Sequence, residues 1–355
     1  MSRTHDVTIV PARPGLFSRE WLTVLIVVLA AAAAWIIAWK QIDGTAAEQP
    51  AYQVAQRIKE LEVTFIDVGQ GDSSFIRMPN GRTILVDAGP SKGMYSTYDA
   101  GEQAVIPFLQ QKGIARIDTL MMTHPHADHY GGMQALLNSG IEIGEFLDPG
   151  MDHPTQSYRT LLETVGRLGI PFREIRAPNT LNWDSDVLVQ VIWPEEGFSA
   201  DNPNNASIVF RLVYGDVVYL FAGDAEAVVE GVLNAYGPGL RTTVLKVPHH
   251  GSDTSSTRSF MEYVIPRLAV ISVGNNNRFN HPNPDIMDRY DRMNIPVLRT
   301  DKSGTITTKS DGTVVRVTPE MGAPFEIYPF PPAPVASSAT HPGPGNGSDP
   351  GKDGR

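Results

Sequence analysis

Thr123-His124-Pro125-His126-Ala127-Asp128-His129-Tyr130-Gly131-Gly132 joins an apolar run, Thr119 to Met122, to a helix-spaced one, Met133 to Leu137. With nine histidines in 355 residues, the pattern H-x-H-x-D-H arises by chance in roughly four of ten thousand such chains. On extended backbone His124 and His126, two apart, project to one side and can share a metal ion. As the chain turns into the helix, Asp128 and His129 are carried in another direction. They can serve a second ion at about the 3.5–4 Å spacing of two-metal sites. Imidazole and carboxylate suit zinc, manganese or iron, and a chain without cysteine has no thiolate to offer.

Two further segments supply what such a centre needs. Phe221-Ala222-Gly223-Asp224 ends an apolar strand in a glycine turn. Asp224 is therefore the candidate for a bridging anion, the alternative being a helix cap. Lys246-Val247-Pro248-His249-His250-Gly251-Ser252 again sets histidines directly after a strand. One of the pair is expected to ligate, and the other to donate to substrate or hold a ligand from behind. His249 is taken as the ligand and His250, with Asp128 and Asp224, as a catalytic group; the residues themselves leave the reverse order open.

The composition bounds the classes. Lys and Arg number 29 against 39 Asp and Glu, a formal charge of −10, which gives no general attraction to polyanions and counts against a DNA-coating protein. Trp21 to Trp39 is uncharged over 19 residues, about 28 Å as a helix, close to the bilayer hydrocarbon. Arg3, Arg13 and Arg19 precede it. The reading is a single-pass anchor (21–39) behind a short cytoplasmic N-terminus (1–20), which puts everything after Lys40 outside the cytoplasm. A cleaved signal peptide, giving a secreted or periplasmic protein, is the rival. A linker (40–60) leads to one domain (61–328), and a Pro/Gly-rich tail (329–355) is too polar to order itself.

Within the domain, Val63 to Asp67 and Thr83 to Asp87 are expected as strands flanking the turn at Pro79-Asn80-Gly81. Helices are expected at Gln103 to Lys112, Tyr158 to Leu168, Ala225 to Tyr236, Thr257 to Ile265 and Pro284 to Met293. Strands are expected at Ile208 to Leu212, Val217 to Ala222, Val244 to Val247, Ala269 to Val273 and Val297 to Arg299. Such alternation with interspersed hairpins means an α/β (α+β) fold of mixed sheets covered by helices.

The motifs together resemble the metallo-β-lactamase superfamily, in the branch that contains the hydrolase-like domain of the DNA-uptake competence protein ComEC. The matching stretches are Asp67-Val-Gly-Gln-Gly-Asp72, Pro79-Asn-Gly81, Ile84 to Gly89, H-x-H-x-D-H, Asn204-Asn-Ala-Ser207, Gly223-Asp224, Lys246 to Ser252 and Asn280-His-Pro-Asn-Pro284. The resemblance implies a four-layer αβ/βα sandwich with the metals at one edge of two sheets. Members with a full first-metal site bring a third histidine just before the strand leading to the bridging Asp; here Asp201 to Ser207 has none. His153 stands too early to replace it. The Asn-rich turn agrees with the ComEC branch and argues against a true β-lactamase. By the same resemblance Asp67, Asp72, Asn204, Asn205, Lys246 and His281 are candidates for touching substrate or holding ligands in place.

The expected activity is hydrolysis by a hydroxide that two divalent ions, zinc or manganese, activate. The expected substrate is a phosphodiester, small, of the cell envelope or DNA. Hydrolysis of a lactone, thioester or amide is the enzymatic alternative, and a non-catalytic binding or scaffold protein the other. No protein partner is deducible.

Overall fold

The computed structural model describes residues 60–93, 97–199 and 201–330. The expected N-terminus, anchor and linker up to residue 59, and the tail from 331, lie outside the described residues. Among those described, no helix is long and apolar enough to cross a membrane.

Two mixed sheets form the centre. In the nine-stranded sheet, Leu61–Phe65, Ser74–Arg77 and Thr83–Val86 run antiparallel, and Thr83–Val86 then pairs in parallel with Thr119–Met121, followed by Phe146–Asp148 and Phe172–Glu174. On its other side Leu61–Phe65 pairs antiparallel with Ile306–Ser310, which continues into Val315–Pro319 and Phe325–Ile327. The seven-stranded sheet has the same division. Val187–Trp193, Val209–Tyr214 and Val217–Phe221 are antiparallel, whereas Val217–Phe221, Val244–Lys246, Leu268–Ile271 and Val297–Arg299 are parallel.

Strand alternation makes these sheets into layers. Leu61, Val63 and Phe65 point to one face and meet Val217, Tyr219 and Phe221 of the other sheet, filling the space between sheets. The intervening positions Phe75, Leu85 and Leu120 point outward to helices Ile106–Gln111, Met133–Leu137 and Gln156–Arg167. Leu220, Leu245, Ala269 and Ile271 do the same towards Ala227–Leu233, Arg258–Val264 and Pro284–Arg292. Period-two strands and helices with one apolar stripe thus give helix, sheet, sheet, helix. Each fully buried Leu or Phe in these cores contributes about 1.5–3 kcal/mol.

The entry differs from the sequence-based expectation. The turn at Asn80-Gly81 joins Ser74–Arg77 to Thr83–Val86, and Leu61–Phe65 is the strand before them. Gly69 and Gly71, both at positive φ (72° and 149°), turn the chain back after the first strand. Only four residues, one Ser and one Arg among them, then form the second, too few for an apolar run to show.

In both sheets the parallel strands send their C-terminal ends to one edge, where open α/β sheets generally bind ligands. Asp87, Thr123 to His129, Asp224 and His249-His250 all follow such ends.

Candidate metal centre

The parallel pair Thr83–Val86 and Thr119–Met121 delivers Asp87 beside the H-x-H-x-D-H turn. Thr123 donates to Asp87 from its backbone N–H (2.8 Å) and its hydroxyl (2.7 Å), and His129 Nδ1 lies 2.8 Å from the same carboxylate. The other ring nitrogen, Nε2, then faces Asp224 Oδ2 at 3.2 Å. His250 is set in the same manner. Its Nδ1 lies 2.9 Å from the carbonyl of Ser272, and its Nε2 faces Asp128 Oδ2 at 3.3 Å and Asp224 Oδ2 at 3.5 Å. His124 has its Nδ1 against the hydroxyls of Thr123 and Ser207, 3.1 and 3.3 Å, and its Nε2 3.0 Å from His126 Nδ1 and 3.8 Å from Asp224 Oδ2. In each of these three rings an outer partner holds one nitrogen and turns the other inward, the usual way a protein orients imidazole ligands.

Asp128, His129, Asp224 and His250 each offer one ligand atom, and these atoms lie within 4.8 Å of one another. Separations of 3.2–3.5 Å between such donors suit bonds of about 2.0–2.2 Å to one ion. Buried His129 Nε2 and His250 Nε2 meet these carboxylates without a well-directed hydrogen bond, and buried Asp224 Oδ1 has no hydrogen-bond partner; such groups are costly unless something else satisfies them. The residues therefore fit a divalent cation.

Their electrostatics say the same. Burial favours the neutral ring, yet Asp224 and Asp87 outweigh it and hold His129 well above its usual pKa. Against burial, Asp224 and Asp72 push His250 up to about 10. Burial opposes ionisation of Asp224 too, but His129 and His250 hold it well below the usual carboxylate range. His124, by contrast, is kept neutral by burial and by its neighbour His129. Protons on two buried imidazoles here balance the carboxylates, and ligands must shed such protons to take a metal.

The chain pays for this geometry in backbone strain. His249 and His250 both lie in the left-handed region (φ 50° and 52°), as does Asp87 (φ 59°), where a residue with a Cβ is disfavoured by roughly 1–2 kcal/mol.

A family model described as the metallo-beta-lactamase superfamily matches residues 66–274. The chain belongs to that superfamily. It is 32% identical over 280 residues to ComE operon protein 3 of Bacillus subtilis (strain 168), a match covering 76% of this chain and 34% of that protein. It is also 32% identical over 253 residues to Competence protein ComA of Neisseria gonorrhoeae, covering 70% and 32%. The chain thus spans about a third of the length of these relatives. Among solved structures it is similar to the metallo-beta-lactamase fold protein YhfI of Bacillus subtilis, with a TM-score of 0.46 at 11% identity, covering 71% and 99%.

Against this metallo-beta-lactamase frame the sequence candidates separate. Asp128, His129, Asp224 and His250 form the inner group, while His124 and His126 form an outer pair of which His124 lies 3.8 Å from Asp224 Oδ2. His249 is not in the inner group. It stands at the rim with Nδ1 held by Thr254 Oγ1 (2.9 Å) and Nε2 3.9 Å from Asp224 Oδ2. Asn204, from the histidine-free turn, donates to Glu226 (3.0 Å), lies 3.4 Å from His249 Nε2, and leaves its amide oxygen buried without a partner. Asn205 faces away, accepting from Trp193 through its carbonyl and from Glu226 N–H through its side chain.

Lys246 is buried and ion-paired with Asp72 at 2.7 Å; Asp72 in turn stands 3.4 Å from His250 Nδ1. Both therefore act on the centre from behind. Asp67 is not brought to the cluster: its carboxylate accepts from Gly69 N–H, and Asp87 occupies the place behind His129. His281 reaches the rim, its ring 5.6 Å from that of His249, and burial together with His250 and His249 lowers its pKa to about 4.

One residue at the centre escapes the sequence reading. Asp87 carries only the signal of an Asp closing an apolar strand before Ala88-Gly89. His153, set aside as too early in the chain, comes within 6.3 Å of the His126 ring, and no local pattern announces it.

Proposed function

We propose that this chain is a metal-dependent phosphodiesterase whose centre is the two donor groups that meet at Asp224. The observation that carries the reading is the convergence of buried His129 Nε2 and His250 Nε2, which meet carboxylates at 3.2–3.5 Å without a well-directed hydrogen bond, and Asp224 Oδ1, which has no hydrogen-bond partner. Leaving such atoms uncompensated costs about 1–3 kcal/mol each. Asp128, His129, Asp224 and His250 would hold one divalent ion, zinc or manganese. His124, His126 and Asp224, with the amide oxygen of Asn204 in place of the third histidine, would hold another. When bound, such ions would lower the pKa of water towards 7 and offset negative charge on phosphoryl oxygens.

The chain's own groups do the remaining work. Asp87, the Ser272 carbonyl, Thr123 and Ser207 fix the rings so that His129, His250 and His124 keep Nε2 inward. Asp224 carries the charge that makes two cations tolerable side by side. His250 is thereby a ligand, and His249, at the rim with its Nδ1 tied, can pass a proton from Nε2 to the departing ester oxygen. This reverses the roles first expected for the two. Hydrolysis adds the water oxygen to phosphorus, breaks the P–O ester bond and leaves the proton on the alcohol.

A relative named for competence supports a nucleic acid as bearer of the ester. Segment 21–39 is the proposed anchor, and a reporter fused after Tyr328 should be active only outside the cytoplasm; cytoplasmic activity would reverse the orientation.

The test is a substrate panel for the full chain loaded with Zn²⁺ or Mn²⁺: bis-p-nitrophenyl phosphate, single- and double-stranded DNA, a phosphorylcholine ester and nitrocefin. Turnover of phosphodiesters without nitrocefin hydrolysis is expected. No turnover with two equivalents of metal bound would overturn the enzymatic reading, and hydrolysis of nitrocefin alone the substrate class.

A further inference from the structure

The loop after Leu268–Ile271 carries an exposed aromatic ring that neither the fold nor the metal donors require. Phe279 is 49% exposed. Its ring stacks on His281 (centroids 5.8 Å, planes 17° apart), His281 meets His249 at 5.6 Å, and His249 Nε2 is 3.9 Å from Asp224 Oδ2. A row of rings therefore runs from solvent to the donor cluster. The guanidinium of Arg278 rests 4.8 Å from the Phe279 centroid, so this ring already accepts a flat, delocalised partner.

The loop is built to hold that position. Asn277 donates to the carbonyls of Gly274 (3.0 Å) and His281 (2.6 Å), and its side-chain oxygen accepts from the N–H groups of Phe279 and His281. Asn283 N–H donates to the Gly251 carbonyl at 2.8 Å. A Cβ on Gly251 would stand 2.6 Å from Pro282 Cβ, so the loop presses directly on the turn that carries His249 and His250. An apolar ring kept half in water on a braced loop beside a centre of polar donors gains nothing for the core; its free surface is available to a planar ligand.

We propose that Phe279 is a base-stacking platform: an unpaired nucleobase next to the scissile phosphodiester lies on this ring, taking the place of the Arg278 guanidinium, which turns to the neighbouring phosphate. The inference rests on the phosphodiesterase reading and narrows it to nucleoside phosphodiesters with an unstacked base, a single strand or a frayed end. Bases inside a duplex are already stacked on each other and do not reach the ring, whereas sequence-tolerant stacking on aromatic side chains is how single strands are commonly held. Arg278 supplies one cation at the mouth of a protein whose net charge, −10, gives no general hold on the strand.

The test compares a single-stranded oligothymidylate with an abasic oligomer of equal length, using the metal-loaded full chain and its Phe279→Ala, Phe279→Trp and Arg278→Ala variants. The wild type should cleave the base-bearing strand with about tenfold higher kcat/KM, carried by KM (about 1.4 kcal/mol). Phe279→Ala should erase that preference, lowering kcat/KM on the base-bearing strand about tenfold more than on the abasic strand, and Phe279→Trp should keep it. Arg278→Ala should weaken both substrates alike through the phosphate. Anisotropy binding of the same labelled strands without divalent ions separates the two readings. Base-selective binding lost in Phe279→Ala, with no cleavage of any strand, would sink the phosphodiesterase and leave the platform standing. Cleavage without base preference, or equal loss on both strands in Phe279→Ala, would overturn the platform and leave the phosphodiesterase intact.

Discussion

Asp224 and Asp148 are almost equally buried, at 2% and 1% exposure, and both stand at or just beyond the C-terminal end of a strand on the same edge of the molecule. They ionise in opposite senses. Burial pushes Asp148 up to about 6, against the Gly150 N–H, the Tyr158 hydroxyl and the charge of Arg176, which lower it, while Glu174 adds to the rise. Asp224 suffers the same burial, yet the imidazoles of His129 and His250 carry it well below the carboxylate range. Burial on this edge therefore outweighs two hydrogen bonds and one guanidinium at Asp148. The carboxylate is held as an anion where two imidazoles face it directly, at 3.2 and 3.5 Å, which is how a site that binds positive charge differs from a strand end whose acid is mainly short of water.

The comparison breaks most severely if Asp224 can lose its charge without consequence. Asp224→Asn keeps the shape and the N–H donated to Ser207 Oγ (2.9 Å) but removes the anion shared by both donor groups. Phosphodiester turnover should fall at least about a hundredfold, since members of a site acting as a unit are not additive. Bound metal should fall with it. Unchanged turnover at matched folded fraction would leave Asp224 a helix-start anion and remove the ground for two ions.

The two donor groups around Asp224 are also unequal, and that inequality can be measured. The inner group has two carboxylates, Asp128 and Asp224, with two imidazoles; the outer has two imidazoles, a share of Asp224 and the amide of Asn204. The inner ion should be held at least about tenfold more tightly, a difference of the size that changes around a metal's ligands produce. Stepwise chelation followed by metal analysis should remove one equivalent first. His126→Ala should abolish that weak equivalent and spare the other, whereas Asp128→Asn combined with His129→Ala should remove the tight one. Equal losses in the two variants would erase the distinction.

How much of this was legible follows from how local each feature is. His124, His126, Asp128 and His129 lie within six residues, so their convergence is visible as a pattern, and Asp224 and His249-His250 stand out because each follows an apolar strand. Choosing between His249 and His250 was beyond the sequence: two successive left-handed residues decide which ring turns inward, and no composition encodes that. Asp87, His153 and Phe279 meet the centre only through sheet pairing and loop packing, at separations of tens to more than a hundred residues. The helices and strands of the second half, from Val209–Tyr214 to Val297–Arg299, were readable from their periodicity. Ser74–Arg77, in contrast, is too short for its alternation to show against the glycine turn before it.

The smallest effect expected concerns Asp148, the acid of the comparison whose pKa is raised. Because folding raises the pKa of Asp148 from about 3.8 to about 6, the native protein retains, between those pH values, a proton that the unfolded chain has released. The contribution of Asp148 to stability must then fall as pH rises through that window and return as pH drops below it, since the state binding more protons is favoured at low pH. Asp148→Asn keeps an acceptor for Gly150 N–H and Tyr158 but cannot ionise. The difference in unfolding free energy between pH 4 and pH 7 should accordingly shrink by on the order of 2 kcal/mol relative to wild type, read from denaturant midpoints at the two pH values. Other carboxylates contribute equally to both proteins and cancel in the difference. If the two pH profiles run parallel, Asp148 titrates in the native state as it does in the unfolded chain, and burial does not outweigh its hydrogen bonds and the charge of Arg176.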